Sequence, residues 1–230
     1  KRIDIAVHSM KDVETELPEK LVISTILKRE DVRDSFISRK YSSIAELPLG
    51  STVGTSSLRR KAQLLNKRKD LKVVEFRGNV QKRLEKLDNK VAVATFLATA
   101  GLNRLGLNEL INPISTDEML PAVAQGAVGI EHLQSEKIEE FLAPLNDSVS
   151  KKRVEAERAF LQELDGSCRT PIGGLAQKNN EEFKFMGEII SANGEVKIHD
   201  VWQGDWAMAV EIGREAGREI KLRGGKNFFQ

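Results

Sequence analysis

Short runs of β-branched residues alternate with segments of helical periodicity through the first half of the chain. The runs predict strands at 3–7 (IDIAV), 51–55 (STVGT), 71–76 (LKVVEF) and 90–95 (KVAVAT). Two segments between them repeat apolar residues at i, i+4 and i+7, which predicts one buried stripe on each helix: Leu58, Ala62 and Leu65, then Val80, Leu84 and Leu87. This alternation predicts a mostly parallel sheet with helices on both faces.

The last third of the chain has a different pattern. A helix is predicted over 151–164, and a final amphipathic helix over about 206–222 that ends at Gly224 and Gly225. Between them, the runs FKFMGEII and EVKIHDV flank an Asn-Gly pair, which is a strong signal for a β-hairpin. We therefore expect a small α+β unit after an α/β body.

Composition and hydropathy indicate the class of protein and its cellular compartment. With 40% hydrophobic and 30% charged residues among 230, the chain is typical of globular proteins. No apolar run approaches the roughly 20 residues that span a bilayer, and no charged and apolar leader opens the sequence, so we expect a cytoplasmic protein that does not bind membranes. Because the strand pattern starts at the third residue, we also expect the chain to begin inside a domain.

Charge is distributed unevenly along the chain. The formal net charge is +2, yet residues 55–90 contain 12 Lys and Arg against 4 Asp and Glu. Part of this excess belongs to solvated helix faces, to which we assign Lys67, Arg68 and Lys69. The remaining arginines suggest an acidic ligand. Nucleic acid is a weak alternative, because Phe76 is the one aromatic residue in this segment that could stack on a base.

Two motifs place arginines where a strand ends and a helix begins. In GTSSLRR (54–60), the free N–H groups of a helix N-terminus lie beside Arg59 and Arg60. In FRGNVQKR (76–83), Arg77 follows the strand and Arg83 lies on the next helix. The ligand crevice of an open α/β sheet lies at the carboxyl ends of its strands. We therefore expect the four guanidinium groups to converge on one cleft and to bind a ligand with many carboxylates or phosphates.

The motif HSMKD (8–12) also follows a predicted strand. An acid at Asp12 beside Lys11, in a cleft lined with arginines, could stabilise a cation that develops on a substrate or transfer a proton. The alternative is that Asp12 caps the next helix. This motif alone does not separate the two roles.

The stretch GSCRTPIGG (166–174) holds the only cysteine, Cys168, so no intramolecular disulfide can form. A lone cysteine is usually an inert core residue, but glycines on both sides allow close backbone approach and Arg169 would favour the thiolate. Redox chemistry would need a second thiol, and a thiol hydrolase or transferase would need a base; neither is evident. What remains is a thiolate that forms one lasting covalent bond. The three histidines are too scattered to suggest a metal site.

In combination, these motifs resemble the porphobilinogen deaminase (hydroxymethylbilane synthase) family. The resemblance runs collinearly through most of the chain in the stretches VHSMKDV (7–13), KREDVRDSF (28–36), VGTSSLRR (53–60), FRGNVQKRLEKLD (76–88), AGLNRLGL (100–107), LPAVAQGAVGIE (120–131), RVEAERAFL (153–161) and GSCRTPIGG. Members of this family normally carry a further strand and helix before the first of these motifs. We therefore expect an N-terminal segment to be missing.

The resemblance implies a transferase of tetrapyrrole (heme) biosynthesis that joins four porphobilinogen molecules head to tail with loss of ammonia and releases 1-hydroxymethylbilane. It implies an α/β fold with two periplasmic-binding-protein-like α/β domains plus a small α+β C-terminal domain. The corresponding domains are 1–28 with 126–146, then 29–125 and 147–230. A monomer without nucleic acid, metal or an obligate protein partner is implied as well.

A noncatalytic solute-binding protein is the alternative on the fold alone, but it has no use for Asp12 and Cys168 in one cleft.

The resemblance also implies roles for individual residues. Cys168 carries a dipyrromethane cofactor through a thioether, and Asp12 is the catalytic aspartate. The other implied cofactor contacts are Ser9, Lys11, Ser57, Arg59, Arg60, Arg77, Asn79, Arg83 and Gln125. The implied substrate contacts are Arg77, Arg83 and Arg104. Each pyrrole of the cofactor and of the growing chain brings an acetate and a propionate, which would be the acidic ligand that the basic segment predicts.

Overall fold

The computed structural model describes residues 3–165, 171–225 and 228. In these residues the chain forms ten β-strands in three sheets and six α-helices. The strands are β1 (Ile5–Ser9), β2 (Leu21–Ile26), β3 (Asp34–Ser38), β4 (Thr52–Gly54), β5 (Lys72–Val74), β6 (Ala94–Ala98), β7 (Val128–Leu133), β8 (Ile172–Asn179), β9 (Glu182–Ile190) and β10 (Lys197–Asp205). The helices are α1 (Leu58–Lys67), α2 (Val80–Asp88), α3 (Thr99–Arg104), α4 (Glu136–Leu142), α5 (Ser148–Glu163) and α6 (Ala209–Gly224). No helix in the described part of the chain is long and apolar enough to cross a membrane.

The predicted α/β body is built on a sheet with the strand order β3-β6-β4-β5. Strand β4 pairs in parallel with both β5 and β6, as the alternating pattern predicts, and β3 joins as an antiparallel edge strand. The predicted strand at 90–95 is wrong in its bounds, because β6 starts at Ala94. Helix α2 ends at Asp88, and Lys90 takes a positive φ of 56°, so residues 89–91 complete the helix end with hydrogen bonds back to α2 before the strand begins.

A second sheet is assembled from two distant parts of the chain. Strand β7 lies between β1 and β2 and pairs antiparallel with both. The strand predicted at 3–7 belongs to this sheet, where it covers Ile5–Ser9. The chain leaves this sheet between β2 and β3 and returns to it between α3 and β7. Two crossing segments therefore connect the two sheets.

The C-terminal part folds as the predicted α+β unit. Strands β8, β9 and β10 form an antiparallel meander, and the predicted β9–β10 hairpin turns at Gly194, whose φ is 77°. Helix α5 begins at Ser148, where Asp147 caps it, and α6 ends at Gly224 as predicted. Residues 206–208 form a 3-10 turn, so α6 starts three residues later than the sequence pattern indicates.

An aromatic core holds α5 and α6 against this C-terminal sheet. Phe160 of α5 packs on Phe185 of β9, with the ring centroids 4.9 Å apart. Both tryptophans of the chain lie at the same core, where Trp202 contacts Phe185 and Trp206 contacts Phe183. Buried aromatic side chains of this size contribute a large share of the stability of a small unit.

The close contact between α5 and α6 predicts that an alanine substitution at a glycine of α6 destabilises the protein, whereas one at a glycine outside this contact does not. A methyl group added at Gly213 of α6 would lie 2.2 Å from the backbone oxygen of Ala156, whereas one added at Gly101 of α3 would meet nothing within 4 Å. We expect Gly213→Ala to lower the free energy of unfolding by about 1–3 kcal/mol, because overpacking forces the helices apart. Gly101→Ala, the control, should be neutral or slightly stabilising. Urea denaturation followed by circular dichroism measures both, and equal effects would contradict the packing argument.

Candidate functional site

A cavity of about 520 Å³ lies at the carboxyl ends of β4 and β6, beside the end of β1 and the start of β8. This is the edge of the sheet at which ligands of open α/β folds bind. Eight of the predicted site residues line the cavity: Lys11, Asp12, Ser57, Arg59, Arg60, Asn79, Arg83 and Gln125.

Two helices begin at the wall of this cavity. Ser57 caps α1, where its side chain accepts a hydrogen bond from the backbone N–H of Arg60. Asn79 caps α2, where its side chain accepts from the backbone N–H of Lys82. Both capping residues line the cavity, so the positive ends of two helix dipoles face it. This arrangement favours an anionic ligand.

The guanidinium groups of Arg59 and Arg60 are held from behind by one buried carboxylate, Asp34. Arg59 Nη2 donates to Asp34 Oδ2 at 2.8 Å, and Arg60 Nη2 donates to Asp34 Oδ1 at 2.6 Å. Arg59 Nη1 also donates to the backbone oxygen of Leu120, and Arg60 Nη1 to that of Phe96. Five of the ten N–H donors of these two arginines are therefore used by groups within the protein.

The buried face of α1 consequently differs from the predicted apolar stripe. Ala62 is buried as predicted, but Leu58 and Leu65 are only half-buried. Arg59 and Arg60 are buried instead, with 5% and 7% of their surface exposed. The stripe is wrong at these positions because periodicity registers the polarity of a residue and not the partners that its donors find.

Asp34 is fully buried at the first residue of β3. Burial alone would raise the pKa of this carboxyl, but the positive charges of Arg59 and Arg60 and their hydrogen bonds outweigh burial and lower the pKa to about 2. The carboxylate therefore offsets one of the two adjacent positive charges. The four guanidinium groups were expected to converge on one cleft to bind a ligand, but those of Arg59 and Arg60 share this carboxylate of the protein.

Arg83 supplies positive charge that remains available in the cavity. Its Nε donates to the backbone oxygen of Gly78 at 2.9 Å, and its Nη atoms have no acceptor among the described residues. Both Arg83 and Arg60 line the cavity, and burial and the like charge of Arg60 lower the pKa of Arg83. A carboxylate bound between them would relieve the repulsion.

Four predicted contacts are not among the residues found in the cavity wall. Arg77 extends into solvent and donates to Glu75 at 2.5 Å, so three of the four expected arginines converge and this one does not. Arg104 is exposed at the end of α3, and Ser9 is exposed at the end of β1. Cys168 lies outside the described residues, and its place in the site stays a prediction.

Asp12 is the one acid among the described residues that line the cavity. Its side chain is 61% exposed, and Lys11 Nζ lies 2.8 Å from Oδ1 and 2.9 Å from Oδ2. The residues between Asp12 and β2, all of them described, contain no helix, so the alternative role of Asp12 as a helix cap is wrong. The remaining acceptor sites of the carboxylate are open to a ligand.

Gln125 lies at the back of the cavity. Its side chain donates to the backbone oxygen of Val32 at 2.7 Å and to Asp34 at 3.0 Å. Sequence reasoning missed Asp34, although one signal was present: an acid opens the apolar run DSFIS, where a strand residue facing the core should be apolar. Such an acid indicates a buried ion pair and therefore an arginine opposite it.

Sequence reasoning also missed Glu157 of α5. Its carboxylate is fully buried and accepts two hydrogen bonds from Arg29, at 2.6 and 2.9 Å. It accepts two more from the backbone N–H groups of Ala124 and Ala176. Ala124 has a positive φ of 58°, which is unfavourable for a residue with a Cβ atom, so these bonds fix the turn that presents Gln125.

Two family models match the chain. The model described as "Porphobilinogen deaminase, dipyromethane cofactor binding domain" matches residues 1–140, and "Porphobilinogen deaminase, C-terminal domain" matches residues 151–222. The porphobilinogen deaminase of Paracoccus denitrificans is 51% identical over 99% of this chain and 73% of its own length. The enzyme of that name from Nitrobacter hamburgensis is 49% identical over 99% of this chain and 72% of its own length. The chloroplastic porphobilinogen deaminase of Pisum sativum is 48% identical over 99% of this chain and 63% of its own length.

Among solved structures, a Salmonella typhimurium periplasmic binding protein described as having high arginine specificity aligns with 66% of this chain and 68% of its own. The alignment has a TM-score of 0.40 and 17% sequence identity. Similarity at this level adds nothing to the fold description, which stands on the three sheets themselves.

Substitution of Arg83 and substitution of Arg59 should have different effects, the first on ligand affinity and the second on stability. Arg83→Ala should weaken binding of a polycarboxylate such as citrate by roughly 10- to 100-fold, the usual effect of losing a hydrogen bond to a charged group. Its free energy of unfolding should change little, since Arg83 pairs with no described acid. Arg59→Ala should instead lower the free energy of unfolding by roughly 3 kcal/mol or more, because Asp34 loses a partner while it stays buried. Titration calorimetry and urea denaturation separate the two, and the reverse assignment would contradict the geometry.

Proposed function

This chain belongs to the porphobilinogen deaminase family, and we propose that it catalyses the reaction of that family in the cavity described above. Four porphobilinogen molecules are joined head to tail with loss of ammonia, and 1-hydroxymethylbilane is released. The observation that carries this proposal is the cavity wall, in which Asp12 shares one space with three arginines and two helix N-termini. This combination suits a substrate that carries carboxylates and develops positive charge as it reacts.

The dipyrromethane cofactor of the family fits the residues that are present. Arg59 Nε is buried and has no hydrogen-bond partner among the described residues, and the Nη atoms of Arg83 also lack an acceptor there. The carboxylates of a pyrrole ring are the acceptors that such donors need. When bound, the group supplies the free α-carbon to which the first porphobilinogen is joined. We assign its non-covalent contacts to Lys11, Ser57, Arg59, Arg60, Asn79, Arg83 and Gln125.

Cys168 is proposed as the attachment point of the cofactor, through a thioether. Ile172, four residues further along the chain, lines the cavity, and four residues span at most about 14 Å. A thioether does not take part in thiol–disulfide exchange, so a cysteine without a second thiol suits a permanent attachment.

Asp12 is proposed as the catalytic residue. Loss of ammonia leaves positive charge on the pyrrole nitrogen of the substrate, and the carboxylate of Asp12 can accept a hydrogen bond from that N–H and stabilise the charge. Lys11 contacts both carboxylate oxygens and so orients the group. The exposed position of Asp12 leaves room for a substrate ring beside it.

Arg77 and Arg104 are proposed as further substrate contacts, and Ser9 as a further cofactor contact. The side chain of Arg77 is 82% exposed and carries a surface ion pair with Glu75. Surface pairs of this kind contribute about 0–1 kcal/mol, so the side chain can turn towards a bound carboxylate at little cost.

The domain bounds of the family are proposed for this chain as well. They are 1–28 with 126–146, then 29–125 and 147–230, and each of these units contains one of the three sheets. We further propose that the protein acts in the cytoplasm as a monomer without an obligate protein partner.

Intact mass after incubation with hydroxymethylbilane tests the attachment. We expect the chain to gain the mass of a dipyrromethane group that survives strong reductant and maps to the peptide containing Cys168. Cys168→Ser should gain no such mass, since an alcohol is a far weaker nucleophile than a thiolate. An adduct on another residue, or an unmodified chain under these conditions, would refute the assignment of Cys168.

Kinetics of an aspartate variant test the catalytic assignment. Asp12→Asn should keep cofactor loading but lower kcat by roughly 10²–10⁴-fold, because an amide neither carries the negative charge nor takes up a proton. Asp88→Asn is the matched control, because Asp88 also pairs with a basic residue, Arg39, and is 55% exposed, but it does not line the cavity. Normal turnover in Asp12→Asn would exclude a catalytic role.

A further inference from the structure

We propose that Asp34 is a positioning residue of this site: it holds Arg59, Arg60 and Gln125 in the orientation in which they meet a carboxylate ligand. The inference rests on the proposed function, since it takes these side chains to contact the cofactor or the substrate. Asp34 lies behind the cavity wall and acts on a ligand through the three residues that line it.

Four hydrogen bonds from three side chains converge on the Asp34 carboxylate. Oδ1 accepts from Arg60 Nε at 3.1 Å, from Arg60 Nη2 at 2.6 Å and from Gln125 Nε2 at 3.0 Å. Oδ2 accepts from Arg59 Nη2 at 2.8 Å. Because Arg60 uses two neighbouring N–H groups, any rotation of its guanidinium plane breaks two bonds at once.

The carboxylate that holds these groups is fixed in its turn. Asp34 pairs in register with Ala98 of β6, and its backbone oxygen accepts a hydrogen bond from Ile114 at 2.8 Å. Each guanidinium group also donates to a backbone oxygen through Nη1. For Arg59 this is Leu120 O at 2.6 Å, and for Arg60 it is Phe96 O at 3.0 Å. Each arginine is thus held at two points, and its remaining N–H groups have a fixed direction.

A shared partner is needed because the two arginines are neighbours in sequence. Consecutive residues of an α-helix point about 100° apart, so Arg59 and Arg60 would otherwise face different surroundings. One carboxylate between them turns both guanidinium groups to the same side of α1. The Nε of Arg59 is buried and has no partner among the described residues.

Asp34 also reduces repulsion within the site. Two guanidinium groups and one carboxylate leave a single net positive charge on this wall, and Arg83 adds another from α2. Without the carboxylate, the two neighbouring guanidinium groups on α1 would lose the negative charge that both of them contact, and their mutual repulsion would favour separation. The site therefore gains defined geometry at the cost of one unit of charge.

Asp34→Asn tests this role, with Asp70→Asn as the matched control. Asp70 binds Arg68 through the same two atoms, Nε and Nη2, at 2.8 Å each, but neither residue lines the cavity. The proteins are labelled with ¹⁵N-arginine, and the Nε–H signals of Arg59 and Arg60 are assigned with Arg59→Lys and Arg60→Lys. Hydrogen exchange of these signals reports their hydrogen bonds independently of activity, and kinetics with porphobilinogen report the site.

In the wild-type chain we expect the Arg60 Nε–H to exchange slowly. In Asp34→Asn it should exchange at least roughly tenfold faster, and the KM for porphobilinogen should rise roughly tenfold while kcat changes far less, as for a residue that orients binding groups. Asp34→Glu, which keeps the charge, should recover part of the loss. Asp70→Asn should change neither the Arg60 signal nor the KM.

A protected Arg60 signal or an unchanged KM in a folded Asp34→Asn protein would overturn the proposal. If that variant does not fold, the wild-type spectrum decides, because fast exchange of Arg60 Nε–H there is equally incompatible with it. A wild-type chain with a protected signal but neither cofactor loading nor turnover would contradict the proposed function alone. The affinity for citrate, measured by calorimetry, then replaces KM, and equal citrate affinities of the wild type and Asp34→Asn would refute the positioning role.

Discussion

A carboxylate without access to water must be matched by positive charge and hydrogen bonds, and the fold of this chain depends on one such group, Glu157. It lies on α5 of the C-terminal unit, yet its partners come from elsewhere: Arg29 from the segment that leaves the second sheet, Ala124 from the segment that returns to it, and Ala176 from β8. Loss of one partner of a buried pair costs roughly 3–5 kcal/mol. Glu157 therefore ties α5 and β8 to both segments that connect the other two sheets, and the cavity lies where the three sheets meet.

The cavity uses the same physical solution a second time, through Asp34, and this divides its arginines into two classes. Arg59 and Arg60 are bound on several sides and form a rigid wall, whereas Arg83 keeps donors that have no acceptor among the described residues. Arg77 lies outside the cavity wall, and its side chain is exposed. A site that holds a cofactor while a chain of pyrroles lengthens needs both properties. The rigid wall can retain a group that stays, and the donors of Arg83 that have no acceptor can bind carboxylates that arrive one ring at a time.

Much of this arrangement could be predicted from the sequence, because it is encoded locally. The Asn-Gly hairpin, the helix end at Gly224 and strands β4 and β5 depend on residues within a few positions of one another. The predicted bounds of strand β6 were wrong because KVAVAT and ATFLA are both apolar, and the positive φ of Lys90, at the start of KVAVAT, is not visible in a hydropathy pattern.

The parts of the site that escaped prediction depend on partners far apart in the chain. The burial of Arg59 and Arg60 on α1 is a consequence of Asp34, which lies 25 and 26 residues earlier on strand β3. Helical periodicity treats an arginine as a residue for the solvated face. It becomes a buried residue only when the tertiary structure brings a carboxylate to it, and one sequence contains no direct record of that contact.

The two tryptophans offer a spectroscopic consequence of how the fold is divided. Trp202 and Trp206 both lie at the aromatic core of the C-terminal unit, and the ammonium groups of Lys152 and Lys178 lie 5.3 and 5.1 Å from the Trp206 ring. Since the chain has no other tryptophan, its tryptophan fluorescence reports on this unit alone. Emission would stay native if the two α/β sheets separated while the C-terminal core remained packed, so a fluorophore placed on α2 would be required to observe the cavity opening.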